Sequence, residues 1–132
     1  MPGTLTDIVE IVAPDSAVRG ARVDVAVRVE NIDTVPHLIS CKANYNGVLF
    51  IDEAVRIHSL SAYVFTGHLT MPSKDVTISA GTYYPSGDLW IHDDAAEKNV
   101  ALKASPVGCL PLVLLGLILL ATIATAIVTI AS

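Results

Sequence analysis

The side chains able to do chemistry in this 132-residue chain are few: four histidines (His37, His58, His68, His92), two cysteines (Cys41, Cys109) and an acidic group of Asp88, Asp93, Asp94 and Glu97. A structural zinc site needs four nitrogen or sulfur ligands, usually supplied as closely spaced pairs. The histidines lie far apart and form no ligand pattern with the cysteines, so no zinc site is expected. The four acids could offer oxygens to calcium, but the EF-hand order of ligands is absent and the group reads as a solvated turn. There is no glycine-rich phosphate loop, no nucleophile elbow and no Ser/His/Asp set at a recognisable spacing. The expectation is a protein that is not an enzyme, with no cofactor, no metal site and no small-molecule substrate.

Charge narrows the partners further. All 8 basic and 13 acidic residues lie at or before Lys103, and the net charge is −5. Acids and bases are interspersed, leaving no basic stripe to neutralise phosphates, so nucleic acid is excluded as a partner. Two cysteines cannot build a disulfide framework. Cys41 falls on the apolar phase of a strand and reads as a small buried hydrophobe, and Cys109 reads as a helix-surface thiol.

The elements that would carry these residues are strands. From Ala21 to Asn31 the chain alternates, with Val23, Val25, Val27 and Val29 on one face and Arg22, Asp24, Arg28 and Glu30 on the other. A period of two is the mark of a half-buried strand. Ile39, Cys41, Ala43 and Tyr45 repeat the period and end at Asn46-Gly47, a pair suited to a type I′ hairpin because both central residues there need positive φ. Val48 to Ile51 should pair back. Further strands are predicted at Leu5 to Val12, Leu60 to Met71, Val76 to Tyr84, Leu89 to His92 and Asn99 to Lys103. Turns are predicted at Pro14-Asp15, Pro72-Ser73, Pro85-Ser86-Gly87 and Asp93-Asp94. The fold class is thus all-β, an antiparallel immunoglobulin-like sandwich of seven or eight strands over residues 1–104, with Trp90 and Tyr45 filling its core.

After a linker at 105–109 comes a segment of another kind. Residues 110–131 carry no charge. As a helix they would be about 33 Å long, matching a hydrocarbon layer of about 30 Å. Leu110, Leu114, Leu117, Ile118, Ile123 and Ile127 would face lipid or an assembly interior. Gly116, Ala121, Thr125 and Thr129 form a small-residue line along which helices could approach closely. The opening residues from Met1 to Asp7 have neither a basic nor an apolar region, so no cleavable signal peptide is expected.

Five stretches carry a family resemblance across roughly residues 5–103: Val18-Arg19-Gly20, Val29-Glu30-Asn31, Tyr45-Asn46-Gly47, Met71-Pro72-Ser73-Lys74-Asp75-Val76, and Trp90-Ile91-His92-Asp93-Asp94. In these the chain resembles the bacterial and archaeal cell-adhesion-related domain, a relative of fibronectin type III and immunoglobulin sandwiches. The resemblance implies a structural or adhesive module and brings no catalytic residues. Together with the apolar segment, it leads to the expectation of a self-assembling structural protein, a virion component or surface-filament subunit. Its partners would be copies of itself or other structural subunits, with membrane lipid around the helix as one setting. It would be membrane-associated or part of an extracellular or virion assembly. The alternative is a tail-anchored membrane protein whose sandwich binds a protein partner, since Lys98 and Lys103 precede the apolar segment and no charge follows it.

Overall fold

The valine alternation becomes the central strand of a three-stranded sheet. The computed structural model describes residues 2–104. They form β1 (Thr6–Val12), β2 (Ser16–Val18), β3 (Arg22–Asn31), β4 (His37–Tyr45), β5 (Val48–Ile57), β6 (Ala62–Thr70), β7 (Val76–Ser86) and β8 (Leu89–Lys103). One sheet has the order β1-β3-β6 and the other β2-β8-β7-β4-β5. Among the described residues there is no helix. The 110–131 segment, its linker, and the residues assigned to it (Leu110, Leu114, Gly116, Leu117, Ile118, Ala121, Ile123, Thr125, Ile127, Thr129) lie outside the described residues.

The core forms where the inward rows of the two sheets meet. Val23, Val25, Val27 and Val29 of β3 and Phe65 and Leu69 of β6 are buried from one side; Ile39, Cys41 and Ala43 of β4 and Val76, Ile78 and Ala80 of β7 from the other. Branched side chains at alternate positions suit this geometry because they are stiff and pack against a pleated surface. The hairpin between β4 and β5 turns at Asn46 and Gly47, whose φ values of 48° and 86° are both positive.

Three details depart from expectation. β5 continues past Ile51 to Ile57: Asp52 and Arg56 point outward, and Ile57 returns to the core, so a charged stretch does not end the strand. The chain at Ser16–Val18 forms a short edge strand. The largest departure is in β8, where Asp93-Asp94 is no turn. β8 runs unbroken for 15 residues, and its register against β7 shifts from Thr82↔Asp94 to Tyr83↔His92. Asp93 is the extra residue of a β-bulge.

That bulge decides where Trp90 goes. In a regular strand, Trp90 and His92 would share the face of Asp94 and Val100, which point into the core. One inserted residue reverses the alternation beyond it. Trp90 is therefore 49% exposed, and the aromatic at the core's centre is Phe65, with no exposure at all. Tyr45, the other residue expected there, is half-buried at the margin, edge-on to Phe50.

The two sheets approach closely where β6 meets β5. A Cβ built on Gly67 would lie 2.6 Å from Ile51 Cγ1 and 3.1 Å from the Phe50 carbonyl oxygen. Because Ile51 is itself buried, it has little room to withdraw. Gly67→Ala is expected to destabilise the domain by about 1–3 kcal/mol, the usual range for overpacking. Urea denaturation checks this, and an unchanged midpoint would show that the strands can separate freely here.

Candidate functional site

The acidic group resolves into parts with separate duties. The Asp93 carboxylate is wrapped by the start of the chain: Thr4 N–H donates to Oδ1 at 2.7 Å, while Leu5 N–H, Thr6 N–H and the Thr6 hydroxyl donate to Oδ2 at 3.1, 2.8 and 2.6 Å. Gly3 lies so close that a Cβ there would overlap this carboxylate. Since a carboxylate only accepts, Thr6 must spend its proton on Asp93. Thr82 Oγ1, 2.7 Å from Thr6 Oγ1, is then the donor between the two hydroxyls and accepts in turn from Asp94 N–H at 3.1 Å. The Asp94 side chain, 8% exposed, accepts from Ile8 N–H at 2.7 Å. Consecutive acids reach the same neighbouring strand because of the bulge, and together they tie β1 of one sheet to β8 of the other.

This cluster is a fastening rather than a reaction centre. Burial alone would raise the Asp93 carboxyl, but the hydrogen bonds from Thr6, Thr4 and Leu5 outweigh it and hold the group below the usual aspartate range. Its lone pairs face donors of its own chain. Asp88 and Glu97 stay exposed, and Glu97 meets the Ser79 hydroxyl at 3.4 Å.

The other reactive side chains are dispersed. His37 lies 2.7 Å from Asp33, and His58 in the β5–β6 connection, His68 on β6 and His92 on β8 are exposed and apart. Cys41 is buried in β4, where desolvation, reinforced by the charge of Glu53, pushes its thiol up to about 12. A thiol held protonated is a poor nucleophile and metal ligand. Among the described residues no three His, Cys, Asp or Glu side chains converge as metal ligands would. Cys109 lies outside the described residues.

The outer face of the five-stranded sheet is open to a ligand. A shallow cleft of about 340 Å³ is lined by Ser40 and Lys42 of β4, Asp52 and Ala54 of β5, Tyr83 of β7 and Trp90 of β8. Lys42 and Asp52 oppose each other across the β4–β5 pair, as do Ser40 and Ala54. Neither charge is in an ion pair among the described residues. Tyr83 stands beside His92 with ring centres 5.3 Å apart. Composition and spacing did not reveal this site, because it exists only once the bulge has turned Trp90 outward. A larger depression of about 560 Å³ lies on the three-stranded sheet, where Arg22 Nε is bonded to Asp24 at 2.8 Å.

No family model matches the chain, and no curated protein matches it. Among solved structures it is similar to the CARDB domain of the PF1109 protein from Pyrococcus furiosus, crystallised in complex with di-metal ions. That match has 18% identity and a TM-score of 0.62, and covers 78% of this chain and 93% of that one. The solution structure of the same domain gives 19% identity and a TM-score of 0.62, covering 74% and 95%. A β-glucuronidase from Bacteroides uniformis matches at 10% identity and a TM-score of 0.55, covering 76% of this chain but only 13% of the enzyme. These likenesses concern the fold: the chain is an all-β, immunoglobulin-like sandwich similar to those CARDB-domain structures.

Proposed function

We propose that this chain is a non-enzymatic structural module that self-assembles, as a virion component or a surface-filament subunit. The sandwich is displayed outward, and residues 110–131 sit in lipid or pack in the assembly interior. The observation that carries this reading is the contrast between the two ends of β8. At Lys103 the strand ends just before a stretch without charge; at Leu89, roughly 45 Å away along an extended strand, it presents Leu89, 67% exposed, and Trp90 to the surroundings. Apolar groups exposed at a strand tip are suited to contact with another surface. The adhesion-type fold supports the same reading, and Asp93, Asp94 and Cys41 are committed to the packing of the sandwich.

Truncation after Ser105 tests it. The expected product is a soluble, folded β domain that stays monomeric, while the full chain forms rings, shells or filaments visible by electron microscopy. If the truncated domain still assembles, pairing between exposed edge strands drives assembly and the apolar segment does not. Full-length protein that remains as single molecules in detergent would sink the assembly reading. It would favour instead a tail-anchored protein whose sandwich binds a partner, as Lys103 before the apolar segment also suggests.

A further inference from the structure

We propose that the cleft around Trp90 binds a neutral sugar, with the indole as platform and Ser40, Lys42 and Asp52 as the polar groups that orient it. The first observation is Ser40. Its side chain lines the cleft and the residue is only 5% exposed, yet its hydroxyl makes no hydrogen bond among the described residues. That hydroxyl keeps both its donor and its acceptor capacity for a group seated in the cleft. The second is the pair Lys42 and Asp52, which face each other on neighbouring strands without an ion pair. One donor-only and one acceptor-only group side by side match the mixed donor and acceptor pattern of vicinal hydroxyls. The third is Trp90, whose amphipathic ring is left half-exposed by the Asp93 bulge and can take the C–H face of a pyranose.

The same features disfavour other ligands. A phosphate or other anion would gain Lys42 but meet Asp52, and a metal cation the reverse. An extended peptide would add to a sheet edge, whereas this cleft lies on the face of the sheet, across four strands that are already paired. A volume of about 340 Å³ falls at the small end of small-molecule ligand sites. The proposal deepens the structural-module reading by naming what the displayed face would hold, and it rests on that reading only for its setting.

The chain has one tryptophan, so its fluorescence reports this cleft alone. Full-length protein in a detergent without a sugar headgroup is screened on an array of neutral glycans. The best trisaccharide, with maltotriose, cellotriose and chitotriose as fixed comparators, is then titrated against tryptophan emission. A saturable change is expected, with binding abolished on the array in Trp90→Ala and weakened about tenfold in Ser40→Ala, the loss associated with one buried hydrogen bond. His68→Ala, on the other sheet, should bind as the parent does. Circular dichroism melts establish that each variant is folded, and Ser40→Ala, which removes one oxygen, is the variant least able to disturb the sheet. The proposal is overturned if no neutral glycan changes the emission, if Ser40→Ala and Trp90→Ala bind normally, or if only anionic glycans or peptides bind. Assembly of the full chain is scored separately by electron microscopy, so a failed glycan screen leaves the structural reading standing.

Discussion

Asp93→Ala is expected to lower stability by about 3 kcal/mol, because it strands three backbone N–H groups and the Thr6 hydroxyl that now share one carboxylate. Hydrogen bonds to an ionised acceptor are the stronger kind, and Thr6 is fully buried, so water cannot replace what is lost there. For a domain of this size the melting temperature should fall by about 12–24 °C. Amide exchange offers a local check, with Leu5 and Thr6 losing protection before the core strands do. A loss below about 0.5 kcal/mol would mean that the opening residues contribute little to the sandwich.

The same carboxylate predicts a pH dependence. Its folded-state pKa lies below the unfolded value of about 3.9, so its contribution is complete above that value and disappears as pH falls through the lower folded-state value. Asp15, hydrogen-bonded to Lys98, and Asp33, hydrogen-bonded to His37, are also held low and add to acid sensitivity in any variant. Comparing the parent with Asp93→Asn cancels those shared effects. The stability gap between the two should be widest near neutral pH and shrink below about pH 4, where the protonated acid resembles the amide. A gap that stays constant down to pH 2 would place the interaction in shape rather than charge.

Much of the framework was legible because its signals are local. The valine row of β3 and the Asn46-Gly47 turn each depend on a few adjacent residues and on backbone periods that hold in any protein. What escaped was the consequence of one inserted residue. Asp93-Asp94 carries the composition of a turn, and nothing within the pair says that its carboxylates will meet Thr4, Thr6 and Ile8, more than eighty positions earlier. With the bulge missed, the tendency of aromatics to fill the core of a small sandwich put Trp90 inside and hid the cleft. Sequence periodicity locates the faces of a strand only up to its first irregularity.

Phe65→Ala tests that corrected parity from inside the core. Phe65 pairs with Val27 across β3 and β6; both are wholly buried, and Tyr63 packs edge-on against the Phe65 ring with centres 4.8 Å apart. Removing the ring forfeits its burial and leaves a cavity that two opposed sheets cannot readily collapse, so a loss of about 3–5 kcal/mol is expected. That is a large part of the 5–15 kcal/mol or so that holds a typical domain folded. Trp90→Ala removes a larger side chain, yet from a half-exposed position on the outer face, and should cost less than about 1 kcal/mol. Chemical denaturation of the two variants in parallel gives the comparison. If the tryptophan variant were damaged as badly as the phenylalanine variant, Trp90 would have to lie between the sheets. The β8 register, the bulge at Asp93 and the open cleft would then all be wrong together.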